Sequence, residues 1–392
     1  MRRKFRILYI VIVALTLSLC SVYISNSETI FFSSSAIKAL PILRPNPVLY
    51  GKFSNFSKDP LFDSNLAIVE VITEGKKTDA YRTAIGSVQC YAAMKGHYMY
   101  LLDMEHYKPY CGHHKDFYYR RHCVIGHLMD TRQHDWYVFL DSDMEVVNEK
   151  RSFSEFIDSK HDVLLYDRFW NWEIMAGSYI VKGSDFGKKF VKGFANFEFQ
   201  HPKHKHHGTD NGGIQAYVAE LVFNGRSEIE DCWKIWEKSK GWDDIFVHEW
   251  CVRKHLGAEI DKGKIKVFKK GTAWARDGEL TGGKWSKDFD FILHGRKESK
   301  KKPYDPKKKE YWYDVRYKPL DLNDCTAGNA TWFNRADMMI SKKGVEEHLI
   351  RRAKGIESYL KSVFKRTNRT IDLDGPFIKD IVQRFSVYTP RP

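Results

Sequence analysis

No two cysteines in this chain stand in a C-x-x-C spacing, which removes the common zinc-ribbon and dithiol redox chemistries. A helix-turn-helix, zinc-finger or RNA-binding signature is equally absent, and there is no internal repeat. The missing nucleic-acid signatures matter because the formal net charge is +14 over 392 residues. Such an excess raises nucleic acid, anionic lipid or anionic substrate as partners. Much of it sits at the extreme N-terminus and in residues 296–309 rather than on an aromatic-laced face. Nucleic acid is therefore disfavoured.

What is present begins with a 43% apolar share, 15% aromatic, which suits a globular core. Arg2, Arg3, Lys4 and Arg6 precede an uncharged apolar run at residues 7–24. Those residues span about 27 Å as a helix, close to a bilayer core. Small residues at 18–21 would suit a cleaved signal peptide, but the run is long for one, so an uncleaved signal anchor is expected. The basic flank places residues 1–6 in the cytosol and the rest in the lumen of the Golgi or ER, as a single-pass type II membrane protein. Three glycosylation sequons, at Asn55, Asn329 and Asn368, lie on the luminal side. Cys20 falls in the anchor, leaving six luminal cysteines that allow up to three structural disulfides in 15 connectivities.

Residues 25–60 read as a Ser/Pro/Asn-rich tether. Strands are then expected at residues 66–72, 97–102, 136–140, 162–166 and 178–181, and helices at 80–94, 120–130, 184–197 and 212–222. This alternation predicts a three-layer α/β domain at 61–320 with a mostly parallel sheet. Residues 321–392 read as a basic helical extension, with its best helix at 344–364.

Asp141-Ser142-Asp143 follows a strand expected to be buried, and ligands of open α/β sheets bind at the carboxyl ends of strands. Two carboxylates two residues apart at such an end suit a hard divalent cation shared with substrate phosphates. Alone, a D-x-D is better explained by a solvated pair ending a strand; its place after a buried aromatic strand in a luminal chain favours the metal. Haloacid-dehalogenase-like phosphatases also place D-x-D after a strand, but their D-x-D-x-[TV] pattern is broken here by Glu145.

Residues 136–148, WYVFLDSDMEVVN, resemble the D-x-D region of GT-A glycosyltransferases. Residues 166–179, YDRFWNWEIMAGSY, and 208–215, GTDNGGIQ, resemble a nematode-expanded glycosyltransferase family. That family is similar in motif order to the yeast α-galactosyltransferase and mannan-elongation family and to plant xyloglucan xylosyltransferases. The resemblance covers about residues 66–303. It implies a GT-A type three-layer α/β/α fold with a mixed, mostly parallel sheet, a UDP-sugar donor, Mn²⁺ (or Mg²⁺), and transfer of a hexose such as galactose with retention of configuration. The acceptor would be a glycan or glycoprotein.

The same resemblance implies that Asp141 contacts nucleotide and metal, Asp143 the metal, and that Ala176, Gly177 and Ser178 line the donor sugar. Asp210 would sit by the sugar with Asn211 at the donor, although Gly212 and Gly213 depart from the relatives' pattern. Asp210 reads equally well as a helix N-cap. His294, ahead of Gly295 and the lysines, partly matches the relatives' third metal ligand. Lys297 and Lys300 are expected to meet the diphosphate, with Glu173 and Asp210 as candidates for stabilising positive charge on the sugar.

His201, His204, His206 and His207 crowd one loop, which reads as a polar flap rather than a zinc site. Trp233, Trp236, Trp242, Trp250 and Trp274 read mostly as core, with one or two free to stack on an acceptor sugar. A catalytically silent luminal glycan-binding or scaffold protein on the same fold is the other reading that the sequence leaves open.

Overall fold

The computed structural model describes residues 48–50, 65–73, 75–300, 314–327 and 332–369, all within one unit, Ile42–Pro392. The apolar run at 7–24 and the sequons at Asn55 and Asn329 lie outside the described residues, among which no helix is long and apolar enough to cross a membrane. Asn368 is described and exposed.

The strands are β1 (Val48–Tyr50), β2 (Leu66–Ile72), β3 (Tyr98–Asp103), β4 (Trp136–Leu140), β5 (Glu145–Val146), β6 (Val163–Tyr166), β7 (Ser178–Lys182), β8 (Ile260–Lys262), β9 (Ile265–Phe268), β10 (Ala275–Asp277) and β11 (Ile292–His294). The principal helices are α1 (Arg82–Lys95), α2 (Phe117–Thr131), α3 (Asp185–Asn196), α4 (Thr209–Phe223), α5 (Glu230–Trp236), α6 (Trp242–Leu256) and α7 (Lys342–Arg366). Eight strands form one sheet in the order β1-β3-β2-β4-β7-β6-β9-β8. Strands β2, β3, β4, β6 and β9 run one way, and β1, β7 and β8 oppose them, so the sheet is mixed and mostly parallel. The stretch read as a tether thus contributes an edge strand, β1.

Both faces of the sheet are buried, which is why its central strands read as near-continuous apolar runs. Ala67, Val69, Tyr137, Phe139, Tyr179 and Val181 face α2, α3, α4 and α6. The alternate residues Leu66, Ile68, Trp136, Val138, Leu140 and Ile180 face α1 and a second sheet of order β10-β11-β5. The result is three layers of mixed α/β structure. Asp116 sets the start of α2 by accepting from the Tyr118 N–H at 2.8 Å, so the helix begins three residues before the expected 120.

The second sheet positions the site. The chain leaves β4 through Asp141-Ser142-Asp143 and enters β5, which pairs with β11. Across β11 lies β10, where Asp277 is the register partner of His294. Residues 153 positions apart in sequence, 141 and 294, therefore meet through two short strands.

All six described cysteines are paired, as Cys90–Cys325, Cys111–Cys123 and Cys232–Cys251. The first ties the C-terminal segment to α1. Further on, α7 buries Val345 and Leu349 against Phe169 and Leu280, and Ile356, Leu360, Val363 and Phe364 against Trp172 and Val247. The basic outer face of α7 stays in water, as its apolar period requires. Leu360 is 0% exposed, so Leu360→Ala is expected to cost about 2–5 kcal/mol of stability. Urea unfolding of the two proteins measures this, and superimposable curves would mean that α7 does not belong to the cooperative unit.

Candidate metal centre

The strand ends bring Asp141, Asp143 and His294 together, with one ligand atom from each within 4.8 Å of the others. Two carboxylate oxygens and an imidazole nitrogen form a donor set that accepts Mn²⁺, and water and phosphate oxygens could complete an octahedron. The residues present therefore fit a divalent ion. Two other groups among the described residues have metal-ligand composition, Asp231/Cys232/Cys251/His255 and His113/His114/Cys123. Both include cysteines engaged in disulfides, which offer no thiolate. The four loop histidines form no such group; His201 and His207 stack at 3.9 Å instead.

His294 Nε2 lies 3.2 Å from Asp143 Oδ1, and its Nδ1 lies 2.8 Å from Asp277 Oδ1. Carboxylates only accept, so Nδ1 donates to Asp277, and the Asp143 charge beside Nε2 favours a proton there too, which makes the metal-free ring an imidazolium. Burial alone would lower its pKa, but Asp143 and Asp277 outweigh burial and raise it to about 10. Burial likewise would raise Asp143, yet His294 and Lys297 hold it down to about 2. Asp141 goes the other way, raised to about 6 by burial with the Asp143 charge adding, against the pull of Arg121. Behind the turn, burial pushes Glu70 well above the carboxylate range, with the charges of Asp141 and Asp143 adding and the Ser142 hydroxyl opposing.

Two chains of alternating charge leave this centre. In the first, Arg121 on α2 pairs with Asp141 and, at 2.5 Å, with Asp210 Oδ2. His122 Nε2 donates to Asp210 at 3.3 Å while its Nδ1 accepts from the Tyr179 hydroxyl at 3.1 Å. Burial would raise Asp210, but Arg121 and His122 hold it well below the usual range. Burial lowers His122 to about 4, so the ring is neutral. In the second chain, Asp277 pairs with Arg168 at 2.7 Å, and Arg168 pairs with Glu173 at 3.1 Å.

The N-cap alternative for Asp210 is overturned. Gly208 occupies the cap of α4 in the left-handed region at φ 74°, with no side-chain cap, and Asp210 lies inside the first turn in its buried ion pairs. Gly177 sits against Asp141, where a Cβ would stand 2.1 Å from Oδ2. The neighbouring Ala176 is buried in the core, and the Ser178 hydroxyl accepts from the Trp274 indole at 2.9 Å. Asn211 is half-buried, with its carbonyl accepting from Gln215 at 3.0 Å. Lys297 Nζ reaches within 3.7 Å of Asp143, whereas the Lys300 side chain lies outside the described ones. Of the tryptophans, Trp233, Trp236 and Trp274 are core and Trp242 is 56% exposed.

Sequence reasoning missed Arg121, His122, Arg168 and Asp277. A signal for the first two was present: charged and polar neighbours inside a helix whose Val124, Ile125 and Leu128 face the core.

These features define an α/β chain with a carboxylate–histidine centre at a strand end. Residues 88–309 match the family described as "Protein of unknown function, DUF273", and the chain belongs to that family. No curated protein matches the sequence. Among solved structures, the chain is similar to that of a glycosyltransferase involved in the glycosylation of the major capsid of PBCV-1. The identity is 17% and the TM-score 0.31, over 39% of this chain and 75% of that one.

Two outcomes follow from the charges. His294 is raised above an unfolded value of roughly 6.5, so its stabilisation is fully present below that value and is lost as pH rises toward about 10. Thermal melts of the metal-free protein should therefore fall across that window, and Mn²⁺ binding near neutral pH should release about one proton. Titration calorimetry in buffers of different ionisation heats measures the release, and none would mean that His294 is not the proton's site. For Asp210→Asn, loss of the buried partner of Arg121 should cost about 1–3 kcal/mol. An unchanged denaturation midpoint would show that this pair contributes nothing to stability.

Proposed function

We propose that this chain is a metal-dependent glycosyltransferase of the GT-A type, transferring a hexose from a UDP-sugar to a glycan or glycoprotein acceptor with retention of configuration. The observation that carries this reading is the convergence of Asp141, Asp143 and His294 at the carboxyl end of β4, with Lys297 beside them. A divalent ion held by these three would neutralise charge on the leaving diphosphate. Lys297, on the exposed side of Asp143, shares that load as a fixed cation, and Lys300 is a candidate for the same role.

The close approach of Gly177 to Asp141 brings the 176–178 segment beside the Asp141 carboxylate, which supports donor lining by that segment. Arg121 fixes the Asp141 carboxylate on one side and Asp210 on the other, so a donor held at Asp141 has Asp210 nearby. Asp210, buried behind Arg121, is then one candidate for stabilising positive charge developing at the anomeric carbon, with Asn211 in the same turn and Glu173 as the second candidate. Retention needs no separate carboxylate base, because a donor phosphate oxygen can accept the acceptor's proton. Three disulfides support an oxidising compartment. With the apolar run at 7–24, this gives a type II protein of the Golgi (or ER) membrane with its catalytic domain in the lumen.

The test is a screen of UDP-sugars for Mn²⁺-dependent turnover, with Asp143→Asn beside the wild type. Turnover should vanish in chelator and in the variant, since one of two anionic ligands is lost. Full activity in either would sink the metal mechanism. Donor binding with no turnover on any sugar would instead favour a silent glycan-binding protein.

A further inference from the structure

We propose that Asp277 is the positioning residue of this centre: it takes the Nδ1–H of His294 and so commits Nε2 to the face shared with Asp141 and Asp143. The inference rests on the metal-dependent reading of the site and names a residue that reading does not require.

An aspartate that opens a helical turn ordinarily caps it with its own carboxylate. Asp277 opens the turn Gly278–Thr281 in an extended conformation, yet its side chain makes no cap hydrogen bond. It is turned across the β10–β11 pair onto its register partner His294, at 2.8 Å. A histidine ring at a strand end can otherwise flip, exchanging the nitrogen that faces the aspartates for a carbon. A carboxylate on Nδ1 fixes both the orientation of the ring and the nitrogen that keeps its proton. With the proton held at Nδ1, the lone pair falls on Nε2, the nitrogen on the Asp143 side.

Asp277 is itself held. Arg168 Nη2 lies 2.7 Å from Oδ1 and Nε lies 3.2 Å from Oδ2, a two-point pair that removes rotation of the carboxylate. Arg168 then reaches Glu173 at 3.1 Å. Asp277 is 6% exposed, so water cannot take the place of these contacts. A purely structural ion pair with Arg168 would satisfy Asp277 without His294. Sharing Oδ1 between the two is what positions the ring.

The test uses the full chain with Mn²⁺ alone, followed by calorimetry, and Zn²⁺ as a diamagnetic probe for imidazole ¹⁵N spectra. Asp277→Asn should weaken Mn²⁺ binding by about 10- to 100-fold. Asp277→Glu, which keeps the anion, should recover part of the loss. In the Zn²⁺-loaded wild type, the His294 signal, assigned by its loss in His294→Gln, should show a proton held on Nδ1. In Asp277→Asn that proton should exchange with solvent. Should Asp277→Asn fail to fold because Arg168 is left unpaired, Asp277→Asn with Arg168→Met removes both charges and carries the same expectation. A wild type that binds no divalent ion overturns the reading of the site itself. A wild type that binds, alongside folded variants of unchanged affinity and an unchanged Nδ1 signal, overturns the role of Asp277 alone.

Discussion

Four aspartates, Asp141, Asp143, Asp210 and Asp277, are gathered at one end of the large sheet, three of them almost wholly buried. Like charges this close in a low dielectric cannot all ionise unless cations stand between them. The fold supplies such cations at three places: Arg121 between Asp141 and Asp210, His294 between Asp143 and Asp277, and Arg168 between Asp277 and Glu173. The alternation dictates which elements must be neighbours. Helix α2 has to lie against α4, β10 against β11, and the loop after β6 against the end of β10. Of these three cations His294 is the one that could give up its charge to a divalent ion, since the two arginines cannot lose a proton.

Close backbone approach makes that neighbourhood possible. A Cβ on Gly213 of α4 would stand 1.9 Å from the Tyr119 hydroxyl of α2, two residues from Arg121. Gly213 therefore lets α2 and α4 come near enough for Arg121 to reach Asp210. Tyr119 uses the same proximity to donate to the Thr209 carbonyl at 3.0 Å, tying the first turn of α4 in place. Buried, doubly paired side chains of this kind hold their geometry without a ligand, which is what an electrostatic site needs if it is to avoid reorganising.

The sequence made the large sheet legible because its strands are buried on both faces and long enough to carry a pattern. Strand β4 begins and ends where its apolar run does, at Trp136 and Leu140. Asp141, Asp143 and His294 were legible through a family resemblance and a strand-end argument, not through any local link between them. The rest was hidden for physical reasons. Strands of two or three residues, such as β5, β10 and β11, show no periodicity, and they exist only because they pair with one another. Asp277 looks like an ordinary helix-capping aspartate, and Arg168 like a surface residue in an aromatic loop, until their partners more than 15 residues away in the chain are placed. The cap reading of Asp210 failed for the same reason: in sequence it precedes the apolar pattern of a helix, whereas its ion-pair partners arrive from α2.

The chemistry-bearing residues fall within 88–309, but their support does not. Glu145, two residues past Asp143, is shared by Arg296 at 2.5 Å and by Arg316, while the Arg296 N–H donates to the Asp143 carbonyl at 2.9 Å. Two guanidinium groups on one fully buried carboxylate fix the exit of the D-x-D turn, and one of them comes from beyond the matched span. Helix α7 backs Trp172 and Phe169, in the loop that carries Arg168 and Glu173. Cys325 locks the intervening segment to α1. A boundary drawn near residue 320, where the apolar pattern turns helical and basic, thus separates segments that pack as one body. The length over which this site is held rigid is set by packing, and it runs through the last turn of α7.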